Sequence, residues 1–297
     1  MDVLATTLLY FLPFTLGAAT LEGLVTRYVL RRPYDWKAYW ASLGDMLGRR
    51  LIELLPLVLF APLFAWVYRH RVMTIALDGP LAALLLFLGV EFFYYWYHRT
   101  SHRMRWFWAT HAVHHSPNTL NLAAAYRLGW TGRFTGVGLF FTPLIWLGFH
   151  PAAVFTAFAL NLLYQFWLHA PWIPKLGWFE LVFNTPSHHR VHHARNLRYL
   201  DANYGGVLIV FDRLFGSFIE EDAREPCDYG LITRLTSNNP VTIAFHGWIA
   251  LGRDLMAARS AREVAGYLFG PPGWRPDGHG PTTDNLRAAA MAAAPAE

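Results

Sequence analysis

The stretch GPLAALLLFLGVEFFYYWYHRTSH, Gly79–His102, decides the fold. From Gly79 to Tyr97 it is apolar apart from Glu91. At ~1.5 Å per helical residue that is about enough to cross a bilayer core of ~30 Å. It closes on His98 and His102, which at i and i+4 share one helix face. The stretch predicts a membrane helix that presents a pair of imidazoles at its end. Two apolar runs precede it, Val3–Leu21 without charge and Leu51–Tyr68 with Glu53 as its one acid. Val3–Leu21 lacks the basic start and small-residue cleavage site of a secretory signal, so it predicts a retained span. Downstream, the 35 residues from Phe134 to Leu168 carry no formal charge. One helix of that length would reach ~52 Å, and Gly148 and Pro151 break it near the middle, so it predicts a helical hairpin. The expectation is an all-α integral membrane protein with about four transmembrane helices: two full spans, a third bearing the first histidine pair, and the hairpin.

Composition agrees. Hydrophobic residues make up 54% and charged residues 15% of the 297, against roughly 25% charged in an average soluble domain. A disordered chain is excluded. The net charge of +5 does not point to nucleic acid. Arg31, Arg32, Lys37, Arg49 and Arg50 alternate with Tyr34, Trp36, Tyr39 and Trp40 beside apolar runs, the pattern of a cytoplasmic membrane flank rather than of a phosphate-binding stripe. With two crossings after that flank, Arg99, Arg103 and Arg105 also become cytoplasmic, while Arg69 and Arg71 are the exception on the far side. The hairpin then returns the chain, at His169, to the side of His98. Turn signals at Asn184-Thr185-Pro186, Asn203 and Gly205-Gly206 predict a cytosolic helical cap. The expected organisation is N-terminal membrane helices over 1–80, a catalytic domain over 81–275, and a disordered Ala/Gly/Pro-rich tail over 276–297. Cys227 is the sole cysteine, which excludes an internal disulfide and a cysteine-based metal site.

Of 14 histidines, eleven fall between His98 and His193. To the pair His98/His102 are added His111-Ala-Val-His114-His115 and His189-Arg-Val-His192-His193. One HxxxH is as often structural as functional, but adjacent histidines rarely serve packing. Helical i/i+3/i+4 spacing lets one helix grip an ion with two or three neutral imidazoles. Eight such side chains on one membrane side exceed what one metal can use, so a dinuclear centre is expected, with His169 as a ninth ligand. Gln165, one turn before His169, either reaches a metal directly or through water, or caps the hairpin interior as an amide. His188 is expected just outside the ligand set. His70, His150, His246 and His279 have no partner at ligand spacing and read as structural. Imidazole-only ligation calls for carboxylates behind it. Glu91, an acid inside an apolar helix, and Asp201 and Asp212 are the candidates, with pairing to Arg195, Arg198 or Arg213 as the alternative for the two aspartates. Phe92, Phe93, Tyr95, Trp96, Tyr164, Phe166 and Trp167 are candidates for a substrate tunnel or, equally, for helix packing and an interfacial belt.

These motifs resemble the fatty acid hydroxylase superfamily, also called the sterol desaturase family. The stretches 184–193 (NTPSHHRVHH), 199–204 (YLDANY), 211–216 (FDRLFG), 165–169 (QFWLH) and 271–274 (PPGW) look specifically like its alkylglycerol monooxygenase branch. The resemblance covers roughly 81–275. It implies a membrane-bound non-haem di-iron centre that activates O2 and hydroxylates an unactivated C–H bond of a lipid, some members desaturating instead. The implied ligands are His98, His102, His111, His114, His115, His169, His189, His192 and His193. Some relatives carry a further histidine four residues from the one matched by His169; Gln165 and Ile173 stand at those positions here. No haem or flavin module fits in the remaining chain, so electrons must come from a separate redox protein or a pterin. A lipid or sterol desaturase and a carotenoid ring hydroxylase fit the same site. A metal transporter would place its ligands near mid-bilayer, and a zinc hydrolase would carry H-E-x-x-H; neither pattern is present. Ether lipid, sterol, ornithine lipid, fatty acyl chain and carotenoid ring remain open as substrate.

Overall fold

The computed structural model describes the backbone of residues 3–55 and 59–293, with side chains from 10 to 292 in that range. The chain is helical. The helices are α1 (Val3–Leu24), α2 (Trp36–Glu53), α3 (Ala61–Arg69), α4 (Pro80–Arg103), α5 (Arg105–His111), α6 (Gly132–Thr135) and α7 (Thr142–Leu147), followed by α8 (Pro151–Leu168), α9 (Pro186–His193), α10 (Val210–Leu214), α11 (Pro240–Ala257), α12 (Ala261–Phe269) and α13 (Thr283–Ala293). Among the described residues the only extended pairings are two isolated bridges, Phe183 with Leu208 and Ala194 with Tyr229.

Two helices are long and apolar enough to cross a membrane among the described residues, α4 and α8. Pro80 and Pro151 open them, where a missing N–H costs nothing. Leu86, Val90 and Tyr94 of α4 meet Val154 and Phe158 of α8 over Phe141, Leu144 and Ile145. The outer face of α4 leaves Leu81, Leu84 and Leu85 exposed.

The four-span expectation needs correction. Leu51–Tyr68 is not one helix: α2 runs through Glu53, residues 56–58 lie outside the described residues, and α3 spans nine residues, ~14 Å. Turns at 54–55 and 59–60 interrupt it on either side, and Pro62 stands in the first turn of α3, where proline is tolerated but cannot continue a preceding helix. The first arm of the hairpin is likewise broken into α6, a 3-10 turn over Val137–Phe141, and α7. Gly136, at φ 91°, separates the first two pieces. The expected hairpin turn is present: Gly148 takes φ 136°, and a Cβ there would strike the Met73 carbonyl. His150 caps α8 through Nδ1, accepting from the Ala152 N–H. The two broken arms lie together, Val72 and Ile75 N–H donating to the carbonyls of Trp146 and Gly148.

The N-terminal helices join the same body. Glu22 of α1 accepts from the Leu122 N–H and the Trp172 indole, and Ser42 of α2 accepts from the buried Arg127. The tail, expected to be disordered from 276, instead carries α13, tied down by Arg103–Asp284 and by Arg287 on the carbonyls of Leu197, Arg198 and Leu200. Residues 294–297 lie outside the described residues.

Candidate metal centre

All nine predicted ligands meet in one place. His98 and His102 come from the end of α4, His111 from the end of α5, His114 and His115 from the turn after it, His169 from the C-terminal end of α8, and His189, His192 and His193 from α9. They form two sets. His98, His102, His111, His115 and His192 make one, and His114, His169, His189 and His193 the other, each set offering ligand atoms all within 4.8 Å of one another.

Five of the nine rings are held from behind. Nδ1 of His98 donates to the Tyr204 carbonyl at 2.7 Å, of His114 to Arg127 at 3.2 Å, of His169 to Gln165 at 2.9 Å and of His192 to Ala202 at 2.9 Å. His102 Nδ1 stands 3.4 Å from Asp201 Oδ1. With Nδ1 committed, Nε2 is left for the interior, the arrangement that orients metal-binding imidazoles. There Nε2 atoms face one another: 3.0 Å for His98–His111, 3.2 Å for His169–His189 and 3.0 Å for His189–His193. Nitrogens held at ~2.1 Å around one ion stand about 3 Å apart, so the donor set fits a cation. Buried Nε2 atoms of His102, His115 and His192 have no hydrogen-bond partner, an arrangement costly without an ion. Burial, then the neighbouring imidazoles, pushes His111, His115, His189, His192 and His193 well below the usual histidine range. The same two causes lower His114, and burial takes His169 down to about 4. These seven rings are therefore neutral with lone pairs available.

The acids divide. Asp201 is the carboxylate behind an imidazole, and it is also paired with Arg103 at 3.1 Å. Against its burial, His102 and Arg103 hold its carboxyl below the usual range. Its expected alternative partners Arg195 and Arg198 pair elsewhere, with Asp228 and Asp222. Asp212 acts one step removed: it accepts from the N–H of Tyr204 and Gly205 and from Ser217, shaping the loop whose carbonyl holds His98. Burial raises it to about 6. Glu91 touches no imidazole. It accepts from Asn161 at 2.5 Å and from the N–H of Val207 and Leu208, pinning that loop to α4 and α8. Gly206 makes this possible, because a Cβ there would collide with the Asn161 amide.

Gln165 is spent in the same network. Its Nε2 donates to Asn161 at 2.7 Å and its Oε1 accepts from the Tyr94 hydroxyl at 3.0 Å, so the amide-capping alternative describes its side chain while its carbonyl serves His169. His188 falls outside the cage, 3.9 Å from Glu180 and against Phe218. Phe92, Tyr95 and Trp96 pack on Phe215, and Phe93 joins the core beside Val90. Phe166 meets Tyr126, and Tyr164 donates to the Asn184 carbonyl beside Trp167. Their contacts are those of helix packing. Sequence reading missed Arg103, Asn161 and the four backbone carbonyls; the carbonyls leave no residue-type signal.

Comparison with known proteins agrees with this geometry. Residues 83–217 match the fatty acid hydroxylase family. The chain is similar to alkylglycerol monooxygenase of Homo sapiens, 37% identical over 89% of this chain and 59% of that protein, and of Xenopus tropicalis, 34% identical over 82% and 55%. It is also similar to ornithine lipid hydroxylase OlsE of Rhizobium tropici, 31% identical over 59% of this chain and 50% of that protein. The chain thus spans little more than half the length of these relatives. No solved structure matches it. The matched segment contains every histidine of the two sets, so the cage lies within the part of the chain that is similar to the fatty acid hydroxylase family.

Proposed function

We propose that the protein is a membrane-bound di-iron oxygenase that hydroxylates an unactivated C–H bond of a lipid, taking O2 and two electrons from a separate donor. The observation that carries this reading is the cage of nine imidazoles in two sets, eight of them buried and His111 half-buried. Neutral imidazole suits iron among other first-row metals, and relatives named for lipid hydroxylation narrow the choice. Two ferrous ions held by the nine histidines would supply the O2 chemistry; overall, substrate, O2, two electrons and two protons give alcohol and water. The chain's part is to hold five of the nine rings by carbonyls and Asp201, to keep seven neutral, and to exclude bulk water around the cage. Electrons are delivered by a redox protein or a pterin. In the membrane, α1, α4 and α8 cross as continuous helices and the broken arms 51–69 and 132–147 fill the space between them. The cage faces the cytoplasm, on the side of Arg99, Arg103 and Arg105.

Anaerobic purification with iron, followed by O2 uptake on adding an alkylglycerol in detergent, tests the reading. Uptake that depends on both iron and lipid, with an equivalent of hydroxylated product, is expected. Tightly held zinc with no O2 uptake under any lipid refutes it.

A further inference from the structure

On the cap side of the cage lies a cavity of about 470 Å3, within the ~300–1,000 Å3 typical of small-molecule sites. Its floor is His102, His115, His192 and His193, so it touches both sets of imidazoles. Trp108 and Ala112 form a wall. The opposite side comes from the 230–235 loop, from Ala250 of α11 and from Leu286 of α13. Leu231, Ile232, Leu235 and Leu286 are the large apolar residues of that side, with Thr233 and Arg234 among them, and Arg105, Asp201 and Arg275 also line the cavity. Ile232 and Leu286 also border a second cavity of about 320 Å3, lined otherwise by Arg195, Asn196, Leu197 and Asp228. A mainly apolar chamber at the imidazoles thus adjoins a polar chamber further out.

The span side of the cage is closed. Tyr94, against the His98 ring at 5.3 Å, is linked through Gln165 and Asn161 to Glu91, all four buried and hydrogen-bonded in series. A hydrocarbon chain arriving between α4 and α8 would have to strip these partners from one another.

Resting on the oxygenase reading, we infer that the cap-side cavity holds the hydrocarbon chain of a single-chain lipid, with the chain's reacting carbon at the imidazole floor and its polar end in the outer chamber beside Arg195 and Asp228. Helix α13 is then a wall of the substrate site. Asp284 ties it through Arg103 and Asp201 to His102.

The probe is an alkylglycerol with a diazirine in its chain, photolysed with the full-length iron-loaded protein in detergent and mapped by peptide mass spectrometry. Label on Leu231–Leu235, Ala250 or Leu286, displaced by unlabelled alkylglycerol, is expected. Leu286→Trp and Ala250→Trp, each checked for normal iron content, should lower that labelling and raise KM roughly 10-fold by filling the apolar chamber. Displaceable label on Phe92, Phe93, Trp96, Tyr164 or Trp167 instead, or no displaceable label in the cavity, overturns the inference. Cavity labelling by a protein that consumes no O2 keeps this inference and removes the oxygenase reading.

Discussion

The two HxxHH motifs have identical spacing and opposite allegiance. In His111-Ala-Val-His114-His115 the i and i+4 residues join the first set and the i+3 residue the second; in His189-Arg-Val-His192-His193 the i and i+4 residues join the second set and the i+3 residue the first. Helical geometry supplies the reason. Position i+4 stands ~40° round from i, whereas i+3 stands ~60° the other way, so one motif reaches two centres. The motifs differ in setting: 189–193 lies within α9, while 111–115 straddles the end of α5, with the His114 N–H returning to the His111 carbonyl. The exchange of i+3 histidines stitches the two centres into one cage. Each set also takes a contribution from an apolar helix, and there the likeness ends. Helix α4 supplies both His98 and His102, but α8 supplies only His169, because Gln165 occupies the matching i−4 position and is turned toward Asn161 and Tyr94.

Substitution within the motifs gives the largest expected effects. His115→Ala and His193→Ala should each abolish turnover and remove iron, the first from the five-imidazole set and the second from the four-imidazole set. Iron analysis with a spectroscopic count of the remaining sites distinguishes them; unchanged iron in either would dissolve the two-set division. Next comes support from behind. Asp201→Asn should weaken metal retention about 10–100-fold, and at the first set only, since Asp201 stands behind His102 alone. Equal weakening at both sets would contradict that placement. The asymmetry at Gln165 predicts a split result. Gln165→Leu leaves the buried Tyr94 hydroxyl and Asn161 amide short of a partner and should cost about 1–3 kcal/mol of stability, while iron per folded molecule stays normal because the Gln165 carbonyl still holds His169. Denaturation midpoints and metal analysis together check it, and iron loss without destabilisation would restore a metal-facing role. The smallest effect belongs to a histidine outside the comparison. His150→Ala removes the α8 cap and should cost about 1 kcal/mol with no change in iron content or turnover.

The cage was legible in the sequence because eight of its nine ligands fall in local groups, where spacing on one helix face carries the information. What lay beyond local pattern was lost. Leu51–Tyr68 has the hydropathy of a span, yet turns at 54–55 and 59–60 divide it, and its partner is another broken segment far along the chain. Glu91 is expected from the sequence to hold an outer imidazole N–H, and it holds a loop instead. Its partners, the N–H groups of Val207 and Leu208, lie more than a hundred residues away and have no side-chain signature. The tail's composition suggested disorder, and its order depends on Arg103 and on three carbonyls of the cap. The aromatics of α4 stay open between tunnel and packing in the sequence because period alone does not distinguish a wall from a packing face.

The central claim is a cage for two metals with shared histidine motifs, and counting metal in the i+3 variants tests it most directly. Wild-type protein loaded anaerobically with ferrous iron should hold two irons per chain. His114→Ala, which alters the first motif, should weaken the second set, and His192→Ala, which alters the second motif, should weaken the first, each leaving about one tightly held iron. One iron per chain in the wild type, or loss that follows the motif rather than the set, contradicts the account.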